Sequence, residues 1–278
     1  MKARLIYSLL LLVAVSLVYK LFFLKTEHNT VSNSEQKISI PEKQPEKPVF
    51  NDYQAKKLPP VQATAFDYSD VKNTAEKKQK FFDILRPLIE NQNQIIRDNR
   101  KRIQFARKHN TDHDWLAAIA EEHKLDWDRE NPDWDRLLFH IDTVPAELVM
   151  TQAANESAWG LSRFAQKGNN LFGQWCFSKG CGLVPAQRNK GSKHEVRKFD
   201  SINDSIASYM HNINTSRAYR DLRKVRAEQR SRGEALDAMT LAGGLKKYSS
   251  RGMAYVREIR SMIKTNLALM QKESPNIN

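Results

Sequence analysis

The stretch Val149–Trp175, VMTQAANESAWGLSRFAQKGNNLFGQW, holds a single carboxylate among small and apolar neighbours. Leu148, Gln152, Glu156 and Trp159 follow one another at four, four and three residues, the spacing that lines side chains up along one face of a helix. Val149 and Ala153 flank that stripe, so Glu156 is expected on a half-apolar face rather than a fully solvated one. Partial loss of water disfavours the charged form of a carboxyl group. A carboxyl group that keeps its proton near neutral pH can act as a general acid. The competing reading is a helix glutamate with no chemical role. Other candidate groups carry less. Asp126, Asp128, Asp133 and Asp135 lack the central glycine and terminal glutamate of a calcium loop and read as turn and helix-start residues. Trp115, Trp127 and Trp134 each follow an aspartate. Their faces suit either sugar stacking or packing.

The elements that must position Glu156 are mostly helical. Thr143-Val144-Pro145 is a start signal for its helix, with proline at the first helical position. Upstream, Phe81, Ile84, Leu85, Leu88, Ile95, Ile96, Ile103 and Ala106 recur at helical spacing over residues 75–109. Pro87 either kinks that helix or begins a second one, and Asn91–Gln94 is a soft spot. A further helix is expected over Asp114–His123. After Glu156, Gly168–Gly173 reads as a turn leading into a short strand, since glycine and asparagine tolerate positive φ. His194–Phe199 alternates as a strand would. Ser201 and Asp204 then make a capping-box-like start for a helix over 201–214, with Ile202, Ile206, Tyr209 and Ile213 inward. Two basic sets, around Arg97–Lys108 and over Arg217–Arg232, fit either solvated helix faces or surfaces that attract anions. The fold class expected is mainly α with a small β-rich part.

The run Gln152-Ala153-Ala154-Asn155-Glu156-Ser157, Trp159-Gly160, Ser162-Arg163-Phe164-Ala165, Gly168–Gly173, Gln174-Trp175-Cys176 and Cys181–Pro185 resembles the bacterial glucosaminidase domains of glycoside hydrolase family 73. The likeness runs from about residue 80 to 267 and is strongest between 142 and 185. It implies a lysozyme-like fold, with a helical lobe holding Glu156 and a small β-rich lobe across a cleft. It also implies a substrate, the glycan strand of peptidoglycan. Glu156 takes the place of the family's catalytic acid. Glu195, the acid between Phe172 and Phe199, is the candidate second acid, although its surroundings depart from the family's Thr-Glu-Tyr pattern; its alternative is a strand-surface ion pair. Tyr248 matches a tyrosine that faces the family's active site, and Tyr255 is read as packing the last helix. Trp159, Asn170 and Phe172 are assigned to the substrate side, Trp159 and Phe172 chiefly by packing beside the acid. Cys176 and Cys181 are the only cysteines. In an exported chain they are expected to pair. Neither a metal nor a cofactor is expected.

The 278-residue chain carries a formal net charge of +13 and a mean hydropathy of −0.64, which suits an acidic partner without choosing one. It contains no zinc-finger spacing, P-loop or internal repeat. No nucleic-acid module is recognisable, so nucleic acid is not expected as a partner. Leu5–Leu24 is an apolar run interrupted at Lys20 and would span about 30 Å as a helix. With Lys2 and Arg4 before it, the segment reads as an inner-membrane anchor with the chain beyond it exported, or as a cleaved signal. The expected organisation is an anchor or signal at 1–24, a proline-bearing flexible linker at 25–72, a helical region at 73–140 packed on the catalytic domain, and a glucosaminidase domain at 141–272. A cell-envelope N-acetylglucosaminidase is the leading function. A muramidase or lytic transglycosylase on the same scaffold and a non-hydrolytic wall-binding factor are the alternatives.

Overall fold

The computed structural model describes residues 58–186 and 191–272. The expected anchor at 1–24, the linker up to residue 57, part of the basic loop at 187–190 and the C-terminal end at 273–278 lie outside the described residues. Nine α-helices and three short strands follow in order among them: α1 Thr74–His109, α2 His113–Glu122, α3 Trp134–His140, α4 Ala146–Ser157, α5 Arg163–Gly168, β1 Trp175–Cys176, β2 Gly182–Leu183, β3 Glu195–Arg197, α6 Ile202–Thr215, α7 Arg220–Ser231, α8 Ala238–Ala242 and α9 Met253–Gln271. Among the described residues no helix is long and apolar enough to cross a membrane.

Asn73 caps α1 by accepting from the Glu76 amide, and Pro87 lies inside one uninterrupted helix rather than opening a second. Phe81, Phe82, Leu85, Leu88 and Ile89 are all buried around it. Tertiary packing of this kind supplies most of a helix's stability in a protein. The expected soft spot is a clamp instead. Asn93 is buried, donates to the Val144 carbonyl at 2.9 Å and accepts from the Val144 amide at 3.0 Å. This fixes the chain entering α4. Pro145 stands one position outside that helix, at its N-cap.

α4 is the centre of the molecule. Leu148 through Ala154 are all buried, and the helix packs against both α1 and α9. The region expected to sit on the catalytic domain therefore shares one continuous core with it: Phe81, Leu85 and Ile89 join Val149, Ala153, Ile206, Tyr209 and Val256.

The flexible linker was expected to run to residue 72, but residues 58–72 are packed onto the body. Ala63 and Phe66 are buried in a short 3-10 helix, Ala63–Phe66. The Phe66 ring lies 5.0 Å from that of Phe81. The Val61 and Ala63 amides donate to Asn203 and Asn169, and the Tyr68 hydroxyl donates to the Trp159 carbonyl at 2.7 Å. Scattered apolar residues without a period are enough here, because each fills a site prepared by the helices.

The basic α7 is likewise not simply a solvated face. Arg223 and Arg226 are buried. Arg226 donates to the carbonyls of Phe139, His140, Asp142 and Thr143 and to Asn214 Oδ1. Buried charges persist when paired and fully hydrogen-bonded. Asp142 supplies the pairing, 3.0 Å from Arg230, 3.4 Å from Arg100 and 3.8 Å from Arg226. Burial would raise the Asp142 carboxyl, but the Arg230 hydrogen bonds and the charges of Arg226 and Arg100 hold it below the usual carboxylate range.

The three strands form one antiparallel sheet in the order β1-β3-β2, with Trp175 opposite Val196, Cys176 opposite Glu195 and Gly182 opposite Arg197. Cys176 and Cys181 are joined by a disulfide that closes the β1–β2 turn. The expected cap of α6 forms, with Ser201 accepting from the Asp204 amide and donating to its carboxylate at 2.6 Å.

Candidate active site

Glu156 occupies the last turn of α4 and is half-buried. Directly after it the chain leaves the helix through three consecutive residues at positive φ: Ala158 at 51°, Trp159 at 62° and Gly160 at 80°. Ser157 secures this exit. Its hydroxyl donates to the Ala153 carbonyl at 2.6 Å and accepts from the Gly160 amide at 2.8 Å. Gly160 is required for a second reason: a Cβ there would lie 2.3 Å from the Phe66 ring. The Glu-Ser-x-Trp-Gly run is thus a device that ends a helix immediately beyond its acid.

Trp159 is carried off the helical stripe by this turn. Its ring packs edge-on against Phe81 and Phe82, at 5.4 and 5.5 Å. It does not line the cleft beside Glu156, so the substrate-side assignment of Trp159 gives way to packing. Asn170 is also buried. It donates to the Gln174 and Arg197 carbonyls and accepts from the Phe172 and Gln174 amides. Its role is to shape the turn into β1 and join that turn to β3, not to stand in the cleft.

A cleft of about 560 Å³ opens beside Glu156, with Phe172, Trp175, Tyr219, Tyr248 and Tyr255 among its walls. Glu156 is the one acid among the described residues that line it. A chain of hydrogen bonds reaches it from the core. The Tyr209 hydroxyl donates to Gln152 Oε1, Gln152 Nε2 donates to the Tyr255 hydroxyl at 3.0 Å, and Tyr255 donates to Glu156 Oε1 at 2.9 Å. Tyr209, Gln152 and Tyr255 are all buried. Asn155 Nδ2 adds a longer bond of 3.3 Å to the same oxygen. Burial, reinforced by the Glu156 charge, pushes the Tyr255 phenol well above its ordinary value. Tyr255 therefore keeps its proton and remains a donor. Both of the hydrogen bonds to Glu156 fall on Oε1.

Tyr248 does line the cleft, stacked on Tyr255 at 5.0 Å, but its hydroxyl points at the Phe172 carbonyl, 3.4 Å away. Burial and the nearby Glu156 raise its phenol as well. The tyrosine that touches the acid is Tyr255, which was expected only to pack the last helix. The signal that could have found it is its place on α9, the helix packed across α4. Phe172 is buried and stacks face to face on Tyr209 at 3.9 Å, which holds the head of the hydrogen-bond chain.

Glu195 stands elsewhere. It is 6% exposed on β3, and its two oxygens accept from the Gly180 and Gly182 amides at 3.0 and 2.8 Å. It is not one of the described residues lining the cleft. Its carboxylate tethers the disulfide-closed turn to the sheet. The expected partnership with Glu156 is not formed, because the pleat directs Glu195 under the turn. Trp175, one residue earlier in the register, is 57% exposed and lines the cleft. The His194 ring lies flat against it, 4.1 Å away and tilted by 18°.

Residues 136–268 match the family described as "Glucosaminidase: Mannosyl-glycoprotein endo-beta-N-acetylglucosaminidase". Protein bax of Escherichia coli (strain K12) is 35% identical over 158 residues, 56% of this chain and 56% of that protein. The chain thus spans little more than half the length of the curated relative it matches. No solved structure matches. The matched span runs from α4 through most of α9 and contains every described residue that lines the cleft beside Glu156. Residues 136–268 are thus similar to the glucosaminidase family, in a chain similar over part of its length to Protein bax.

Proposed function

We propose that the protein is a peptidoglycan hydrolase, a β-N-acetylglucosaminidase that cuts the glycan strand with Glu156 as general acid. The observation that carries this reading is the isolated carboxyl group. Glu156 is the one acid among the described lining residues, half-buried, and held at one oxygen by a buried tyrosine donor. In the forward step Glu156 gives its proton to the glycosidic oxygen as the bond from that oxygen to C1 breaks. Positive charge develops at C1 and the ring oxygen. With Glu195 committed to backbone amides, the nucleophile is best supplied by the substrate itself. The acetamido oxygen of the N-acetylglucosamine unit attacks C1 and forms an oxazolinium ring. Water then adds at C1, Glu156 takes the water proton, and the ring opens to leave a new reducing end. The acid is restored with all protons accounted for.

The exposed Trp175 ring, backed by His194, suits stacking against a sugar at the cleft mouth. A helical body carrying the acid and a small sheet carrying Trp175 is the division of labour expected of a lysozyme-like scaffold. The apolar segment at 5–24 and the Cys176–Cys181 disulfide support a place on the periplasmic side of the inner membrane, where disulfides persist.

The test is digestion of purified peptidoglycan followed by identification of the new ends, with Glu156→Gln alongside. New N-acetylglucosamine reducing ends from wild type, and loss of clearing in Glu156→Gln, are expected. New N-acetylmuramic or anhydromuramic ends would replace the proposed bond specificity. Equal clearing by both proteins would remove Glu156 from the mechanism.

A further inference from the structure

We propose that Glu122, His123 and His211, none of which is among the described residues lining the cleft, form a zinc site that pins the end of α2 to α6. Glu122 is the last residue of α2, His123 follows it at the C-cap, and His211 lies in the C-terminal half of α6. One ligand atom from each of the three falls within 4.8 Å of the others. The two imidazole rings are 5.1 Å apart, and His211 Nδ1 is 3.9 Å from Glu122 Oε1.

The orientation of His123 is the most telling feature. Its ring is buried, and Nδ1 lies 2.9 Å from the Ile119 carbonyl. A carbonyl accepts, so Nδ1 carries the hydrogen and Nε2 keeps its lone pair. A backbone carbonyl that fixes the tautomer through the other ring nitrogen is the usual outer-shell support of a metal-binding histidine. Two imidazole nitrogens and one carboxylate oxygen, with a fourth position left to water, match the ligand set and number of an open zinc site. Magnesium and calcium prefer oxygen donors throughout.

Tetrahedral zinc with bonds near 2.1 Å places its ligand atoms about 3.4 Å apart. The three donors, within 4.8 Å of one another, must therefore close by up to about 1.4 Å. Glu122 and His211 have side chains 67% and 35% exposed and are free to make that adjustment around the buried His123. Lys124 is the cation that acts on His211. Its ammonium is on an exposed, flexible stem that can turn into solvent. No metal signature is visible in the sequence, because the third ligand comes from a helix far along the chain.

The experiment uses the full, untagged chain, stripped with a chelator and titrated with Zn²⁺ in competition with a chromophoric indicator. One Zn²⁺ per chain and a melting temperature raised by several degrees are expected. Glu122→Gln combined with His211→Gln should weaken binding at least tenfold while leaving the metal-free melting temperature near wild type. Single Glu122→Gln, at an exposed position, should give a smaller loss and keeps the test usable if the double variant is unstable. Co²⁺ in place of Zn²⁺ should give visible absorption in wild type that the double variant loses. Absence of binding, or equal affinity in wild type and variants, would overturn the assignment. The second result would move the ion to others among the seven histidines. Peptidoglycan cleavage is not part of the readout.

Discussion

Replacing Tyr255 with phenylalanine isolates the contact that the structure adds to the acid. The substitution keeps the aromatic ring stacked on Tyr248 and removes one hydroxyl. Two hydrogen bonds go with it: the 2.9 Å bond to Glu156 Oε1 and the 3.0 Å bond from Gln152 Nε2. A hydrogen bond to a carboxyl group that becomes charged as it gives up its proton contributes about 1.5–3 kcal/mol. If that energy serves to hold Glu156 in its reactive position, kcat falls by roughly 10- to 150-fold at 1.36 kcal/mol per decade. KM should change little, because the hydroxyl is turned to the acid and to Gln152. Gln152 Nε2 is left buried without its acceptor, which costs about 1–3 kcal/mol of stability. The assay is dye release from labelled peptidoglycan over a range of substrate concentrations, with urea unfolding of the same preparations. The same substitution in a Glu156→Gln background should have far less effect on residual activity, since the two residues act as one unit. A folded Tyr255→Phe protein with wild-type kcat would refute the positioning role. An equal loss in both backgrounds would show that Tyr255 acts on something other than Glu156.

Four further outcomes are expected. Trp175→Ala removes an exposed face worth about 0.5–1.5 kcal/mol, so KM for polymeric substrate should rise roughly two- to tenfold with kcat and melting temperature nearly unchanged. Glu195→Gln should loosen the disulfide turn, measured as faster amide exchange at Gly180 and Gly182, while activity stays within a few-fold of wild type; a loss as deep as that of Glu156→Gln would restore Glu195 as a second acid. Gly160→Ala combines a positive φ with a Cβ 2.3 Å from Phe66, and overpacking of this kind costs about 1–3 kcal/mol, so urea midpoints should fall. Asp142→Asn leaves three arginines facing a neutral amide, and a broken buried pair costs about 3–5 kcal/mol. Because the Asp142 carboxyl sits below its unfolded value of about 3.9, its stabilisation is full above that pH and is lost as pH falls through the folded value. The variant should therefore unfold more easily at neutral pH and show a shallower decline at acid pH.

What was legible in the sequence is local and periodic. The helices around Phe81 and Ile206 follow from apolar spacing, because a repeat near 3.6 residues leaves one face to bury. The Ser201 cap and the turn at Gly168–Gly173 follow from residues whose side chains or φ range favour those geometries. Glu156 stood out because it interrupts a nearly apolar helix inside a long motif.

Direction across the chain was decided only by tertiary structure. Tyr255 and Tyr248 sit seven residues apart in one tyrosine-bearing segment, and nothing in their spacing says which hydroxyl meets the acid. The packing of α9 across α4 brings Tyr255 to Glu156 and turns Tyr248 to the Phe172 carbonyl. Glu195 was chosen as an acid in the right interval, but strand register sends it to two backbone amides and leaves Trp175 at the cleft. Residues 58–72 lack a period because they fill gaps in helices formed elsewhere. Trp159 follows a helical spacing that three positive φ values break. Except at Trp159, where the turn is local, the deciding contacts join residues apart in sequence. Such contacts depend on how elements pack, whereas composition and periodicity describe each element alone.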